Sequence, residues 1–457
     1  MTSRFRLVVV VGSLTLAGCG DSFHAGPIGY TENAQLGIDL KDKPKLQAAV
    51  TRAMANLYGP TPQQIKVPAG SGLPDGGVHL TNLIQQGEGD RTEVRPIALP
   101  RVDEASGQYM ASKSTGKLLG EPQEGGYALY RKHCLHCHGV DGAGNGPTAS
   151  FLFPRPRDYR KGLFKFTSTP TGAKPTREDL RKTLKYGLHG TSMPAFEALM
   201  SNRQTEQVID YLLFLSMRGE TELGLIAEAG VADEETADEA ISDTVAVEIA
   251  QSVFAKWKAA DSQVVTPETP RPPSTPESIA RGRELFLGLN KTGNKVECAG
   301  CHGAQGRGNG PSFIDEATFT QVVFRGDPSG MPTRVEALTD KQKELWKASV
   351  DEWGDPLRPA NLTRGVYKGG RRPLDLYWRL AKGINGAKMP AHLGLIKPDQ
   401  IWDLVNFVLA LPYDPTLLKG ATLPGTPAAV PAAAPAHAAS PTTSPAPAED
   451  PRVAVRR

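Results

Sequence analysis

A five-residue pattern occurs twice in this chain, as "CLHCH" at 134–138 and as "CAGCH" at 298–302. Gly-Asn-Gly-Pro follows both, at 144–147 and 308–311, so the two stretches share one separation of 164 residues. The likeness continues downstream. "PRDYRKGLFK" from Pro156 matches "PANLTRGVYK" from Pro359, 203 residues later. "GLHGTSMPAF" then matches "GINGAKMPAH", with Met193 and Met389 separated by 196 residues. The second copy thus carries 39 additional residues before its Pro-Ala-Asn-Leu and lacks 7 before its methionine. A repeat of this length asks for one local fold built twice. At 457 residues the chain has room for both copies and more.

Four of the five cysteines belong to the repeated pattern. A zinc site could gather Cys134, Cys137, Cys298 and Cys301. The two pairs have 160 residues between them, however, and His138 and His302 would be left without a role. A thioredoxin-like redox pair belongs to a βαβ pattern, and neither copy follows an evident strand. C-x-x-C-H is the attachment site of a c-type haem, and that reading uses every residue. Positions three and four apart share one face of a helix. Cys134 and Cys137 can then each form a thioether to one haem while His138 turns its imidazole toward the iron. Cys298, Cys301 and His302 repeat the arrangement. The expected cofactors are two covalently bound c-type haems, with His138 and His302 as proximal iron ligands. His133 and His136 read as incidental.

An electron-transfer haem usually takes a sixth ligand, and methionine opposite histidine raises its potential. Met193 lies 55 residues after His138, and Met389 lies 87 after His302. Each precedes a proline, which biases the residue before it toward extended chain. A methionine in such a loop can reach a haem face. Methionine is more often core filler; the matched surroundings single these two out.

Apolar stripes follow both methionines: Val208, Ile209, Tyr211, Leu212 and Leu215 in one copy, Ile401, Leu404, Val405, Val408 and Leu409 in the other. Short apolar helices are expected over 127–130 and 279–286, and Thr176 with Asp179 marks a helix start. Each copy therefore resembles a class I cytochrome c domain: helix, C-x-x-C-H, a loop ending in Gly-Pro, helix, methionine loop, closing helix. The resemblance covers 126–219 and 276–414. It implies a mainly α fold, with two class I cytochrome c helical domains joined by a flexible linker, a partly irregular N-terminal region and a disordered C-terminal tail. It also implies that a proline carbonyl after the motif accepts the ligand histidine's hydrogen bond, with Pro147 and Pro311 as the matching residues. The second copy departs from the family in an insertion near 312–351. Met331, also before a proline, is a rival to Met389 but lacks the flanking helices. Trp346 and Trp353 are expected in a satellite helix on the domain surface.

The flanks say less. Residues 1–18 read as a secretory signal, with Arg4 and Arg6, then an apolar run from Leu7 to Leu16, then small residues. "LAGC" at 16–19 resembles the bacterial lipoprotein box, which implies lipidation of Cys19. Residues 19–125 offer one expected helix, near 44–57, and no assignable role. Residues 220–275 read as an acidic and Pro-rich linker with a helix near 244–258. Over 220–268 there are 12 acidic and 2 basic side chains, against 14 basic and 7 acidic over 126–219. The acidic run is expected to be solvated, and the basic domain to meet a redox partner with an acidic docking patch. Residues 415–457 read as an Ala/Pro-rich disordered tail. A net charge of +3, without basic clusters interleaved with aromatics, argues against nucleic acid.

The expected protein is an exported dihaem electron carrier, lipid-anchored to a bacterial membrane and facing the periplasm. Its partners would be redox proteins, with membrane respiratory complexes foremost. No small-molecule substrate and no catalytic residue are expected, because six-coordinate iron leaves no open position. Two other classes stay open. One is a dihaem peroxidase, in which one haem offers a displaceable site. The other is a haem subunit of a larger oxidase or dehydrogenase.

Overall fold

The computed structural model describes most of 29–73, four short strands between 83 and 110, and all of 125–423 except 290–295, 316–317, 320–321, 323–334 and 352–356. The signal segment, Cys19, Met331, Trp353 and the tail beyond 423 lie outside the described residues.

Helix α1, Pro44–Tyr58, begins with a proline in its first turn, where a missing N–H costs nothing. Its buried face is Leu46, Ala49, Val50, Ala53 and Met54, the spacing of one helical stripe. Strands β1 (Leu83–Gln86) and β2 (Glu93–Pro96) pair antiparallel, as do β3 (Arg101–Val102) and β4 (Tyr109–Met110). The other regular elements are helices. The first haem-motif copy supplies α2 (Gly126–His133), α3 (Leu135–His138), α4 (Arg177–Tyr186) and α5 (Asn202–Val231), followed by α6 (Asp243–Lys258). The second supplies α7 (Pro276–Phe286), α8 (Cys298–His302), α9 (Asp340–Ala348), α10 (Pro373–Lys382) and α11 (Pro398–Ala410). Thr176 and Asp179 form a reciprocal capping box at the start of α4, as Ser201 and Gln204 do for α5.

In each copy the first and last helices cross at a glycine. A Cβ on Gly126 would stand 2.2 Å from Gln207 O and 3.0 Å from Tyr211 Cβ on α5. On Gly282 it would stand 2.2 Å from Asp403 O and 2.7 Å from Phe407 Cβ on α11. Only hydrogen lets these backbones touch. Aromatic contacts then seal the crossings, Tyr130 against Tyr211 and Phe286 against Phe407.

The first core is wider than the repeat. α1 packs on α5 and α6, and the Tyr58 hydroxyl lies 2.8 Å from Thr221 Oγ1. So the N-terminal region contributes a helix to this core. α5 runs on to Val231, and α6 folds back onto the same cluster through Ala246, Ala250, Val253, Phe254 and Trp257. The flexible acidic connector expected over 220–275 is therefore replaced by packed helices, because its charges share those helices with an apolar face. Two of the charges point inward. Glu220 pairs with Lys174 and accepts from Trp257 Nε1 at 2.7 Å; buried Glu222 accepts from Asn33 Nδ2 at 3.2 Å. The rest of the run is solvated as expected: Glu228, Asp233, Glu235, Asp238, Glu239, Asp243 and Glu248 are exposed on segments that pack against the first domain. Over 126–268 acidic residues outnumber basic ones, 19 to 16.

The proline-rich stretch is pinned as well. Trp402 Nε1 donates to Thr269 O at 2.8 Å, and Arg271 Nε to Asn406 Oδ1 at 2.8 Å. The second core also extends beyond 414 into the expected tail. Leu418 is buried in it, and Arg283 Nε donates to Leu417 O at 2.6 Å. The insertion has a small apolar cluster of its own, made of Ile314, Phe319, Val322 and Trp346.

The two haem-motif domains meet directly. Lys182 of α4 pairs with Asp375 of α10, whose carboxylate is buried. Lys382 Nζ donates to Thr167 Oγ1 at 3.0 Å, and Val265 N to Ser168 O at 3.0 Å.

Candidate functional site

Helix α2 ends at His133, and the chain turns at Cys134 into α3. The N–H groups of Cys137 and His138 both donate to Cys134 O, at 3.1 and 2.9 Å. One helical turn therefore carries both cysteines and the histidine. The Gly-Asn-Gly-Pro loop folds back over this turn: Gly144 N donates to His138 O at 2.9 Å and Gly146 N to Cys137 O at 3.1 Å. A Cβ on Gly146 would stand 2.5 Å from His136 O, so the approach requires glycine.

His138 is buried, with Nδ1 3.2 Å from Arg157 O and its ring stacked on Tyr159 at 4.5 Å between centroids. A carbonyl only accepts, which assigns the proton to Nδ1 and leaves the Nε2 lone pair free. Burial pulls the His138 pKa down to about 4, so the ring is neutral at neutral pH. The second motif repeats the backbone wrapping and the ring's carbonyl partner, while His302 is half-buried and meets Phe286 at 6.5 Å rather than stacking on a tyrosine. Gly308 N donates to His302 O at 2.7 Å, Gly310 N to Cys301 O at 3.1 Å, and His302 Nδ1 lies 3.0 Å from Ala360 O. Burial lowers the His302 pKa too.

These carbonyls correct the assignment to Pro147 and Pro311. Those prolines end loops that wrap the motif's backbone, whereas the chain after Pro156 and Pro359 passes the rings. Arg157 and Ala360 directly follow those two prolines in the matched decapeptides, so the internal repeat already held the signal.

None of these four cysteines forms a disulfide, and burial pushes the Cys134 and Cys298 thiols, before haem is joined to them, up to about 12. They lie in two separate cores, and a helix leads toward each motif. Among the described residues no cluster of three or more His, Cys, Asp or Glu is placed to hold a metal ion. The zinc and thioredoxin readings therefore find no support.

A cavity of about 390 Å³ opens in the second domain, lined by Cys298, Cys301, His302 and Met389 with Phe286, Tyr367, Leu376 and Leu380. The structure thus brings all four expected residues of the second copy to one space. Met389 sits in a tight loop closed by Ile384 N donating to Met389 O at 3.2 Å; Leu188 N donates to Met193 O at 3.1 Å in the first copy. Met193 is half-buried and packs against the core cluster that holds Cys134 and Tyr159. The floor of the second cavity is apolar, and Arg358, Lys368, Arg379 and Lys388 lie around it against one carboxylate, Glu297. Burial lowers the Arg379 pKa to about 10. A haem presents an apolar ring and two carboxylates, so apolar floor, cations, thiols and neutral imidazole all fit it.

Sequence reasoning missed His392, which is buried, lines this cavity and has Nδ1 3.1 Å from Leu380 O. Its counterpart in the first copy is Phe196, so the repeat gave no signal for it.

A family model described as cytochrome c oxidase, cbb3-type, subunit III matches 121–212, and one described as cytochrome c matches 279–412. The chain contains two cytochrome c domains, each with its haem motif. It carries two covalently bound c-type haems with their iron, and such domains transfer electrons. No curated protein matches the chain. Among solved structures, a chain of the Kuenenia stuttgartiensis reducing HAO-like protein complex is 24% identical, with a TM-score of 0.40. The match covers 63% of this dihaem cytochrome and 94% of that chain; a likeness at this level has no bearing on function. No helix among the described residues is long and apolar enough to cross a membrane.

Proposed function

We propose that this dihaem cytochrome carries single electrons between redox proteins outside the cytoplasm, held at a bacterial membrane by a lipid on Cys19. Cys134 and Cys137 hold one haem and Cys298 and Cys301 the other. His138 and Met193 would bind the iron of the first haem, and His302 and Met389 that of the second. The observation that carries this reading is the second cavity, where two cysteines outside any disulfide, a neutral histidine and the loop methionine line one apolar space.

Bound haem supplies an iron that gains and loses one electron. The protein supplies the rest. Each histidine is oriented by its Nδ1–H bond to a backbone carbonyl, which fixes the ring and raises its basicity. Thioether sulfur is a soft ligand and suits the low-charge state of the iron. The apolar floor keeps water from the site. Two ligands per iron leave no place for a substrate, which supports carriage over catalysis. Cys19 at the end of a secretory signal supports export and anchoring, since several acyl chains on one residue hold a protein to a membrane firmly.

Redox titration and visible spectra of Met389→Ala test the ligand set. The ferric second haem should turn high-spin and its potential should fall. A low-spin spectrum unchanged from wild type would remove Met389 from the site and transfer its role to His392.

A further inference from the structure

The second domain does not close its own site. Lys165 and Phe166, which line the second cavity, belong to the first domain. Space is made for them: a Cβ on Gly369 would stand 2.4 Å from the Phe166 ring. The Arg379 guanidinium lies 5.8 Å from the centre of that ring. Asn385, 1% exposed, ties down the loop that carries them. It donates to Phe164 O and accepts from Gly172 N, both at 2.8 Å. Asp351, at the end of the insertion, has a fully buried carboxylate 2.7 Å from Lys165 Nζ and 3.7 Å from Arg157 Nη2. Arg157 in turn offers its carbonyl to His138. One loop, 157–172, therefore touches both haem sites, and a residue of the insertion clasps it at two points.

We propose that the second haem site is shared between the domains. Phe166 and Lys165 are positioning residues for the second haem, and Asp351 holds them against it. This rests on the haem-site reading above and gives the insertion a task that reading left open. The physical consequence concerns charge. Ferric iron carries one more positive charge than ferrous. An apolar wall and a nearby cation disfavour the ferric form, and water favours it. Removing the wall lowers the potential of the second haem.

The test is a redox titration of the haem-loaded protein with Phe166→Ser, Phe166→Leu and Asp351→Asn. Cys298→Ala identifies the second-site wave, because a haem held by one thioether has a shifted absorption band. In Phe166→Ser the second-site wave should move to lower potential while the first stays in place. Phe166→Leu should restore it toward wild type. Asp351→Asn, which removes a buried negative charge and leaves Lys165 unpaired beside the cavity, should move it the other way, to higher potential. Mass measurement showing two covalent haems in each variant keeps the attachment reading separate from this one. A second-site potential equal to wild type in folded, fully loaded Phe166→Ser or Asp351→Asn overturns the shared site.

Discussion

Gly282→Ala puts the fold of the second domain to a direct test. The added Cβ would meet Asp403 O at 2.2 Å and Phe407 Cβ at 2.7 Å. An ordinary contact needs more than 3.4 Å, so α7 and α11 must separate by about an ångström. The oxygen is backbone and cannot rotate away. Overpacking of this kind costs about 1–3 kcal/mol, and a rigid partner places this case near the top. Alanine in a helix interior returns about 1 kcal/mol. The net loss is roughly 2 kcal/mol, or a fall of roughly 4–8 °C in the melting of a domain this size. Calorimetry on the haem-loaded protein, with Soret absorbance followed in parallel, reads the second domain. Gly230→Ala is the control. It lies in α5 with nothing within 4 Å of its Cβ, so it should be neutral or gain up to about 1 kcal/mol. If Gly282→Ala melts within a degree of wild type, the close crossing is not what holds this domain together.

Changing Cys134 and Cys137 together to Ala should leave one covalent haem by mass, and two would refute the attachment sites. Cys19→Ser should move the protein from the membrane to the soluble fraction; retention after a high-salt wash would mean that another element anchors it. Burial works to raise the Asp375 pKa, but hydrogen bonds from Arg372 and Lys182 outweigh it and hold the carboxyl below 3.8. A depressed carboxyl stabilises the fold above its unfolded value, and that stability is lost as pH falls through the folded one. Docking of the two domains should therefore weaken only below about pH 4, and Asp375→Asn should cost about 3 kcal/mol at neutral pH. Limited proteolysis of the 264–275 stretch across that pH range reads both effects; cleavage at an equal rate throughout would contradict the pairing.

What could be read from the sequence was whatever it wrote twice. The thiols, both histidines and both methionines stood out because identical residues fell at matched spacings. The start of α4 stood out because a capping box is local. The rest depended on distant partners. α1 shows its stripe in sequence, but nothing local says that it packs on α5. Glu220 and Glu222 counted as surface charge because a tally of composition ignores which face a residue occupies. Phe166 carries no local signal, and its place in the second cavity depends on polar contacts from Asn385 and Asp351, which follow no period.

The crossing of α2 by α5 also sets a timetable. A chain is synthesised N-terminus first, so the first motif is complete before α5 exists. Until α5 arrives, Cys134 stands open to whatever machinery joins it to haem. Once α5 closes over Gly126, Cys134 is only 5% exposed. Maturation is thus a race between chemistry and folding, and a copy that folds first has shut its own door on the cofactor.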